Sequence, residues 1–293
     1  MFDIVNIERP GTIDEALKML SDNPNLKIIA GGTDVLIHLR HGNLEEAELL
    51  SLRSISGLDE IKVMEDGTIS IGAMATFAEI FRNDIINKYL PVLSEAAVTV
   101  GGPQIRNMAT IGGNICNGAV SADSATTLLA YNAALKLNSN GGTRIIQLRD
   151  FYAGPGKVHL LPGEILTSIL ISEDGYRKTS GCYIKYSRRN AMDIALLGIS
   201  AVCRMDGNKF SDVRIALGVA APTPIRCSEA EAYAFGRDIT HETLKEIGRY
   251  AVKSSKARDS WRASKAYREH LIEILAYRAL KEAVLRGGGV NIE

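Results

Sequence analysis

Three observations make this an α+β chain rather than a doubly wound α/β one. Helix-like and strand-like segments are mixed up to about residue 175; after that, three strand-like segments follow one another and the rest is helical. The Gly-x-Gly-x-x-Gly turn that opens a dinucleotide-binding βαβ unit is absent. The Asp206-Gly207 pair between the last two strand-like segments marks an antiparallel hairpin. There is no internal repeat and no low-complexity tract.

Thr12, with Glu15 three residues on, forms a capping box ahead of a helix whose apolar stripe is Ala16, Leu17 and Leu20. "LKIIA" (26–30) and "ELLSL" (48–52) read as buried strands, and "TISIGAMAT" (68–76) alternates like a half-buried one. Thr76 and Glu79 open a second helix. "INKYLPVLSEAAVTVG" (86–101) reads as helix, bent or started near Pro91. Strands over 143–151 and 164–172 flank a long loop, "GPGKVHLLPGE" (154–164). "GCYIKYSRR", "IALLGISAVCRMDGNKF" and "SDVRIALGVA" then predict a three-stranded antiparallel sheet. Thr243 and Glu246 suggest a third capping box. A last helix over about 264–286, with Tyr267, Leu271, Ile274 and Leu275 on one face, ends at Gly287.

Composition excludes several function classes. The 293 residues are 46% apolar and 23% charged, with a formal net charge of +0, so no general pull toward nucleic acid or a membrane surface is expected. No apolar run approaches the ~20 residues of a spanning helix, and the start lacks the basic and apolar regions of a secretory signal. A cytoplasmic location is the expectation. Cys116, Cys182, Cys203 and Cys227 fit no zinc or iron–sulfur spacing and read as reduced, mostly buried thiols. His38 and His41 are spaced to share a helix face but lack a third ligand, so no metal is expected.

Two glycine pairs carry the chemical interest. In "AGGTD" (30–34) a strand ends, Gly31 and Gly32 turn the chain, and Thr33 and Asp34 follow. Successive N–H groups in such a turn form a nest for an anion, and Thr33 is placed to cap a short helix "DVLIHLR". "ATIGGN" (109–114) repeats the design inside "GGPQIRNMATIGGNICNGAVSADSATTLLA" (101–130), a glycine-rich stretch with few charges. Two such turns suit the two sides of one pyrophosphate. Composition and spacing stop there, at a protein that binds a phosphorylated cofactor or simply turns twice.

The motifs together resemble a known family. "KIIAGGTDVLI", "GPQIRNMATIGGNICNGAVSADSAT", "GPGKV", "GVAAPTPIRC" and "SWRASKAYREHL" are similar to the FAD-binding medium subunits of molybdenum hydroxylases, the bacterial xanthine dehydrogenase group, over almost the whole chain. The resemblance implies an α+β, two-subdomain FAD fold of the vanillyl-alcohol oxidase/p-cresol methylhydroxylase type. It implies a FAD-binding domain over 1–175, with subdomains of about 1–55 and 56–175, and a C-terminal domain over 178–288 with three antiparallel strands and helices. FAD would be held non-covalently by Lys27, Ile28, Ile29, Ala30, Gly31, Gly32, Thr33 and Asp34, and from the other side by Ala109, Thr110, Ile111, Gly112, Gly113 and Asn114. Asp123, Ile165 or Leu166, and Lys185 would complete the cofactor set. Asp34 and Asp123 would position or cap rather than transfer protons, and no catalytic residue or metal ligand is expected.

The implied partners are a molybdopterin-binding large subunit and a 2Fe-2S small subunit, in a dimer of heterotrimers, with NAD⁺ as electron acceptor and a purine as substrate. The same role in a hydroxylase for nicotinate, an aldehyde, an aromatic thioester or carbon monoxide stays open. So does a flavin-free docking subunit, against which the intact glycine turns count. Arg188 and Arg189 read as a solvated or interface face, or as NAD-phosphate contacts. Trp261, with Arg262 and Lys265, reads as a domain or subunit contact.

Overall fold

The computed structural model describes residues 3–289. The first unit is a small parallel sheet. Strands β1 (Ile4–Glu8), β2 (Lys27–Ile29) and β3 (Ala47–Ser51) lie in the order β1-β3-β2, crossed over by α1 (Ile13–Asp22) and α2 (Val35–Arg40). The sequence reading missed β1. Ala16, Leu17 and Leu20 of α1 are buried against Leu26, Leu50 and Leu52, as the helical stripe requires. Thr12 caps α1 through Glu15 N–H at 3.2 Å, but the Glu15 carboxylate takes the N–H of Gly11 rather than that of Thr12, so the box is incomplete.

A five-stranded antiparallel sheet follows, built from β4 (Ile61–Val63) and β5 (Ile69–Gly72), then β6 (Ala134–Ser139), β7 (Gly142–Gln147) and, after a short hairpin of β8 (Tyr152–Gly154) and β9 (Lys157–Val158), β10 (Ile165–Ile171). Its order is β4-β5-β10-β6-β7. β5 is buried on both faces rather than half-buried, because it is an inner strand packed under helices. Those helices are α3 (Phe77–Arg82), α4 (Asp84–Tyr89), α5 (Pro91–Val98), α6 (Pro103–Arg106), α7 (Ile111–Cys116) and α8 (Asp123–Ala130). The Thr76–Glu79 capping box at the head of α3 is complete. The helix expected over 86–101 is two: Pro91 has no N–H to donate and forces Leu90 out of helical geometry, so α4 stops and α5 restarts.

After α9 (Glu173–Tyr176), the C-terminal unit is an antiparallel sheet of β11 (Ser180–Tyr186), β12 (Leu197–Asp206), β13 (Lys209–Gly218) and β14 (Ile225–Arg226). The fourth strand corrects the expected three: the two-residue β14 is too short to leave a periodic signal and pairs only through Ala216 and Leu217. α10 (Ser228–Ala234), α11 (His241–Lys253) and α12 (Lys265–Arg286) cover one face. The α11 cap is Thr240, whose hydroxyl accepts from Thr243 N–H at 3.1 Å, so Thr243 sits inside the first turn. The other face packs on α8. Tyr183, Val202 and Ala216 enter the central core with Phe77, Leu128 and Tyr131, and Thr127 and Ser200 share a hydroxyl–hydroxyl bond of 2.9 Å.

Candidate functional site

β2 ends at Ile29 and the chain turns through residues 30–34 into α2. Gly32 takes φ +76°, which glycine adopts without steric cost. Its carbonyl accepts the first α2 bond, from Leu36 N–H at 3.0 Å. Among the described residues, the N–H groups of Gly31, Gly32, Thr33, Asp34 and Val35 donate to no protein acceptor. Open backbone donors in sequence call for water or a ligand. These five border a cavity of about 980 Å³ between the parallel sheet and the five-stranded sheet, and a row of N–H groups suits phosphate oxygens. Thr33 does not cap α2: Asp34 holds the N-cap position and makes no side-chain capping bond. With a helix of only six residues, the open donors rather than a macrodipole carry the anion argument.

The second glycine pair is not a turn. Thr110 caps α7, and Gly112 and Gly113 lie in its first helical turn. Ile111 N–H donates to Ala75 O and Gly112 N–H to Ala73 O, each at 2.9 Å, and Gly113 N–H donates to the Thr110 hydroxyl at 3.2 Å. The donors that a helix start leaves open are therefore consumed within the protein. Glycine is needed here for packing: a Cβ at 112 would come 2.6 Å from both Ala73 Cβ and Ala73 O. A Cβ at Gly31 would overlap the Met108 carbonyl oxygen, so the two glycine segments touch directly.

Lys27, Ile28, Ala30 to Asp34, Ala109, Thr110, Gly112, Gly113, Asn114, Ile165 and Leu166 all border this cavity. Ile29 and Ile111 do not. Alternation along β2 turns Ile29 toward Leu39, Ala47 and Leu49, and Ile111 is fully buried in the central core. Asp123 and Lys185 also lie off the cavity wall. Lys185 Nζ donates to Asp123 Oδ2 at 2.8 Å and to Thr99 O at 3.0 Å, and the Tyr183 hydroxyl donates to Asp123 Oδ1 at 2.6 Å. Burial raises the Asp123 carboxyl pKa although Lys185 and Tyr183 oppose it, and burial beside Asp123 drives Tyr183 well above its ordinary value. The group joins α8 to β11.

The sequence reading missed the opposite wall. Leu17, Leu20, Ser21 and Pro24 come from α1 and its exit, and Ser139, Asn140 and Gly141 from the β6–β7 tip. Asn140 Nδ2 donates to Leu17 O at 3.3 Å, closing that side. Asn140-Gly141 was legible as a hairpin turn, but nothing local says where its tip docks. The 160–164 rim is held by Arg144, which donates to Glu164 Oε1 and Oε2 at 2.5 and 2.8 Å and to His159 O at 2.8 Å. Cys116 borders the cavity as an apolar group, its thiol pKa pushed up to about 12 by burial.

A second cavity, of about 380 Å³, lies where residues 120–121 meet the C-terminal unit. Asn117 borders the first cavity and Val120 the second, so one short segment contributes to both walls. Its lining includes the apolar Val120, Ile194, Ala195 and Val219 and the cationic Lys256, Arg258, Arg262 and Arg268, with no carboxylate residue among the described residues that line it. Arg268 is 3% exposed, and its guanidinium donates to Leu196 O, Arg258 O and the Ser260 hydroxyl, all neutral acceptors. Burial, with Arg258 and Arg262 nearby, lowers its pKa. A buried cation with only neutral partners favours an anion beside it. Trp261 is 73% exposed, its ring 4.9 Å from the guanidinium carbon of Arg188 and 4.3 Å from that of Arg262. No cluster of potential metal ligands occurs among the described residues, and no helix among them is long and apolar enough to cross a membrane.

Residues 3–172 match the family profile of the FAD binding domain in molybdopterin dehydrogenase, and residues 182–283 that of the CO dehydrogenase flavoprotein C-terminal domain. The chain belongs to the FAD subunits of the molybdenum hydroxylases. Relatives span this subunit type end to end. The xanthine dehydrogenase FAD-binding subunit of Escherichia coli O157:H7 is 43% identical over 99% of each chain. The glyceraldehyde dehydrogenase medium chain of Sulfolobus acidocaldarius is 32% identical over 94% of this chain and 96% of its own. Among solved structures, carbon monoxide dehydrogenase from Hydrogenophaga pseudoflava superposes with a TM-score of 0.92 at 27% identity, covering 98% of this chain and 99% of that one. The first cavity fits the cofactor of such a FAD subunit: it is at the large end of small-molecule sites and supplies an open row of N–H donors for a pyrophosphate.

Proposed function

We propose that the chain is the FAD-carrying electron-transfer subunit of a xanthine dehydrogenase-type molybdenum hydroxylase and that it delivers electrons to NAD⁺. The carrying observation is the run of five open N–H groups, Gly31 to Val35, on the wall of a cavity large enough for a dinucleotide. The purine-oxidising assignment is supported by the full-length similarity to a xanthine dehydrogenase subunit.

In this reading, the open N–H groups of Gly31 to Val35 hold the pyrophosphate, Lys27 and Ile28 line the cavity beside them, and Ala109 to Asn114 back that turn by packing. Ile165 and Leu166, both nearly fully buried on β10, offer an apolar edge to a ring. Asp123 and Lys185 act one layer out by fixing α8 against β11. Bound FAD supplies the exchange between single-electron and hydride chemistry. The purine meets a molybdopterin-binding large subunit, and a 2Fe-2S small subunit relays electrons, in a dimer of heterotrimers. The division of labour follows the chain: 1–175 for FAD, as subdomains of about 1–55 and 56–175, and 178–288 for the acceptor side. NAD⁺ as acceptor is supported by the second cavity, whose cationic residues suit a pyrophosphate and whose wall shares the segment 117–121 with that of the first.

The test is the absorbance spectrum of the purified chain, followed by anaerobic titration with NADH. A flavin spectrum that bleaches with NADH is the expected result. A flavin that stays oxidised removes NAD⁺ as acceptor. No flavin after adding FAD sinks the reading of the open N–H row.

A further inference from the structure

β13 ends at Gly218, and Gly218 and the following Val219 invert the usual placement of glycine. Gly218 needs no special φ; it is glycine because a Cβ there would lie 2.9 Å from Thr126 Cγ2 and 3.5 Å from Val120 O. Val219 takes φ +66°, where glycine is at ease and a β-branched side chain is strained. The backbone around it is well anchored. Val219 N–H donates to Val120 O at 3.1 Å, in the segment that contributes to both cavity walls. Ala220 O accepts from Lys256 N–H at 2.9 Å and from the Ser255 hydroxyl at 3.2 Å, at the start of the cationic wall. The anchors use main-chain atoms of residues 219 and 220, so glycine at 219 would keep them and remove the strain. What only valine supplies is its isopropyl group, and Val219 borders the second cavity together with Val120, Ile194, Ala195 and the cationic residues.

We propose that Val219 is a specificity-determining residue of the second cavity: its side chain is kept, against backbone strain, as an apolar contact for the uncharged part of the electron acceptor, while the cationic wall takes the phosphates. The assignment rests on the reading of this cavity as the NAD⁺ site. Strain retained at a ligand contact is a known exchange of stability for function.

The two roles separate experimentally, because the change to glycine moves them in opposite directions. V219G and V219A are compared with the wild type in the assembled, FAD-loaded enzyme. The thermal midpoint and the NAD⁺ dissociation constant are both measured. V219G is expected to raise the midpoint while weakening NAD⁺ about three- to tenfold, as the loss of one or two buried methyl-sized contacts implies. V219A keeps a Cβ in the left-handed region, so it should weaken NAD⁺ comparably with a smaller gain in midpoint. A V219G enzyme with a raised midpoint and unchanged NAD⁺ affinity overturns the proposal, as does a lowered midpoint, which removes the strain argument. A wild-type enzyme that fails to bind NAD⁺ overturns the reading of the cavity, and the assignment with it.

Discussion

Gly31-Gly32 and Gly112-Gly113 are the same dipeptide put to opposite uses. Around the first, five consecutive N–H groups stay open toward the large cavity. Around the second, Ile111, Gly112 and Gly113 all donate inside the protein, to Ala75, Ala73 and Thr110. The difference lies in the neighbours. The second pair runs beside residues 73–75, just after β5 ends, where the Ala73 and Ala75 carbonyls take the N–H groups of Gly112 and Ile111. The first pair leaves the edge strand of a parallel sheet, and its N–H groups meet no protein acceptor among the described residues. A glycine pair therefore marks where backbone must come close, and the packing around it decides whether what comes close is a ligand or another piece of chain.

The largest effect that tests this contrast is expected from G31A. Its Cβ would strike the Met108 carbonyl where the two segments meet, so chemical denaturation should show a loss of about 3 kcal/mol or more, and the purified protein should lack flavin. G112A comes next, at about 1–3 kcal/mol, since its Cβ meets Ala73. The fraction that folds should still take up FAD, because no donor to the cavity is lost; a folded G112A without flavin would break the distinction. Hydrogen exchange sharpens it without mutation. Amides 31–35 should exchange rapidly without FAD and slow markedly with it, whereas 111–113 should be protected in both states.

The smallest effect concerns the cavity rim. Pairing with Arg144, with help from Leu161 N–H, holds the Glu164 carboxyl below the usual carboxylate range. A depressed folded pKa gives stability that is present above the ordinary value of about 4.3 and is lost as pH falls through the folded value. E164Q should therefore lower the thermal midpoint at neutral pH, and the gap to the wild type should close as the solution is acidified below about pH 4. A gap that persists in acid would mean the rim is held by something other than this ion pair.

Much of the fold was legible from local pattern. The Thr76–Glu79 box, the Pro91 restart, the Asp206-Gly207 hairpin and the stripe of α1 each depend on residues within a turn or two of one another. β1 and β14 were not legible, because one is mostly exposed and the other is two residues long. Family resemblance singled out Asp123 and Lys185 as cofactor contacts, but their partnership with each other spans 62 residues and appears only when α8 meets β11.

Residue spacing alone decided the Thr76–Glu79 cap, the break at Pro91, the Asp206-Gly207 hairpin and where backbone approaches something closely, since those depend on short-range sterics and hydrogen bonding. Which donors remain open, which wall the β6–β7 tip completes and why Val219 sits in a glycine's conformation were decided by the packed chain. Hydrogen-bond satisfaction and cavity shape are sums over residues far apart in sequence, and no local window contains them.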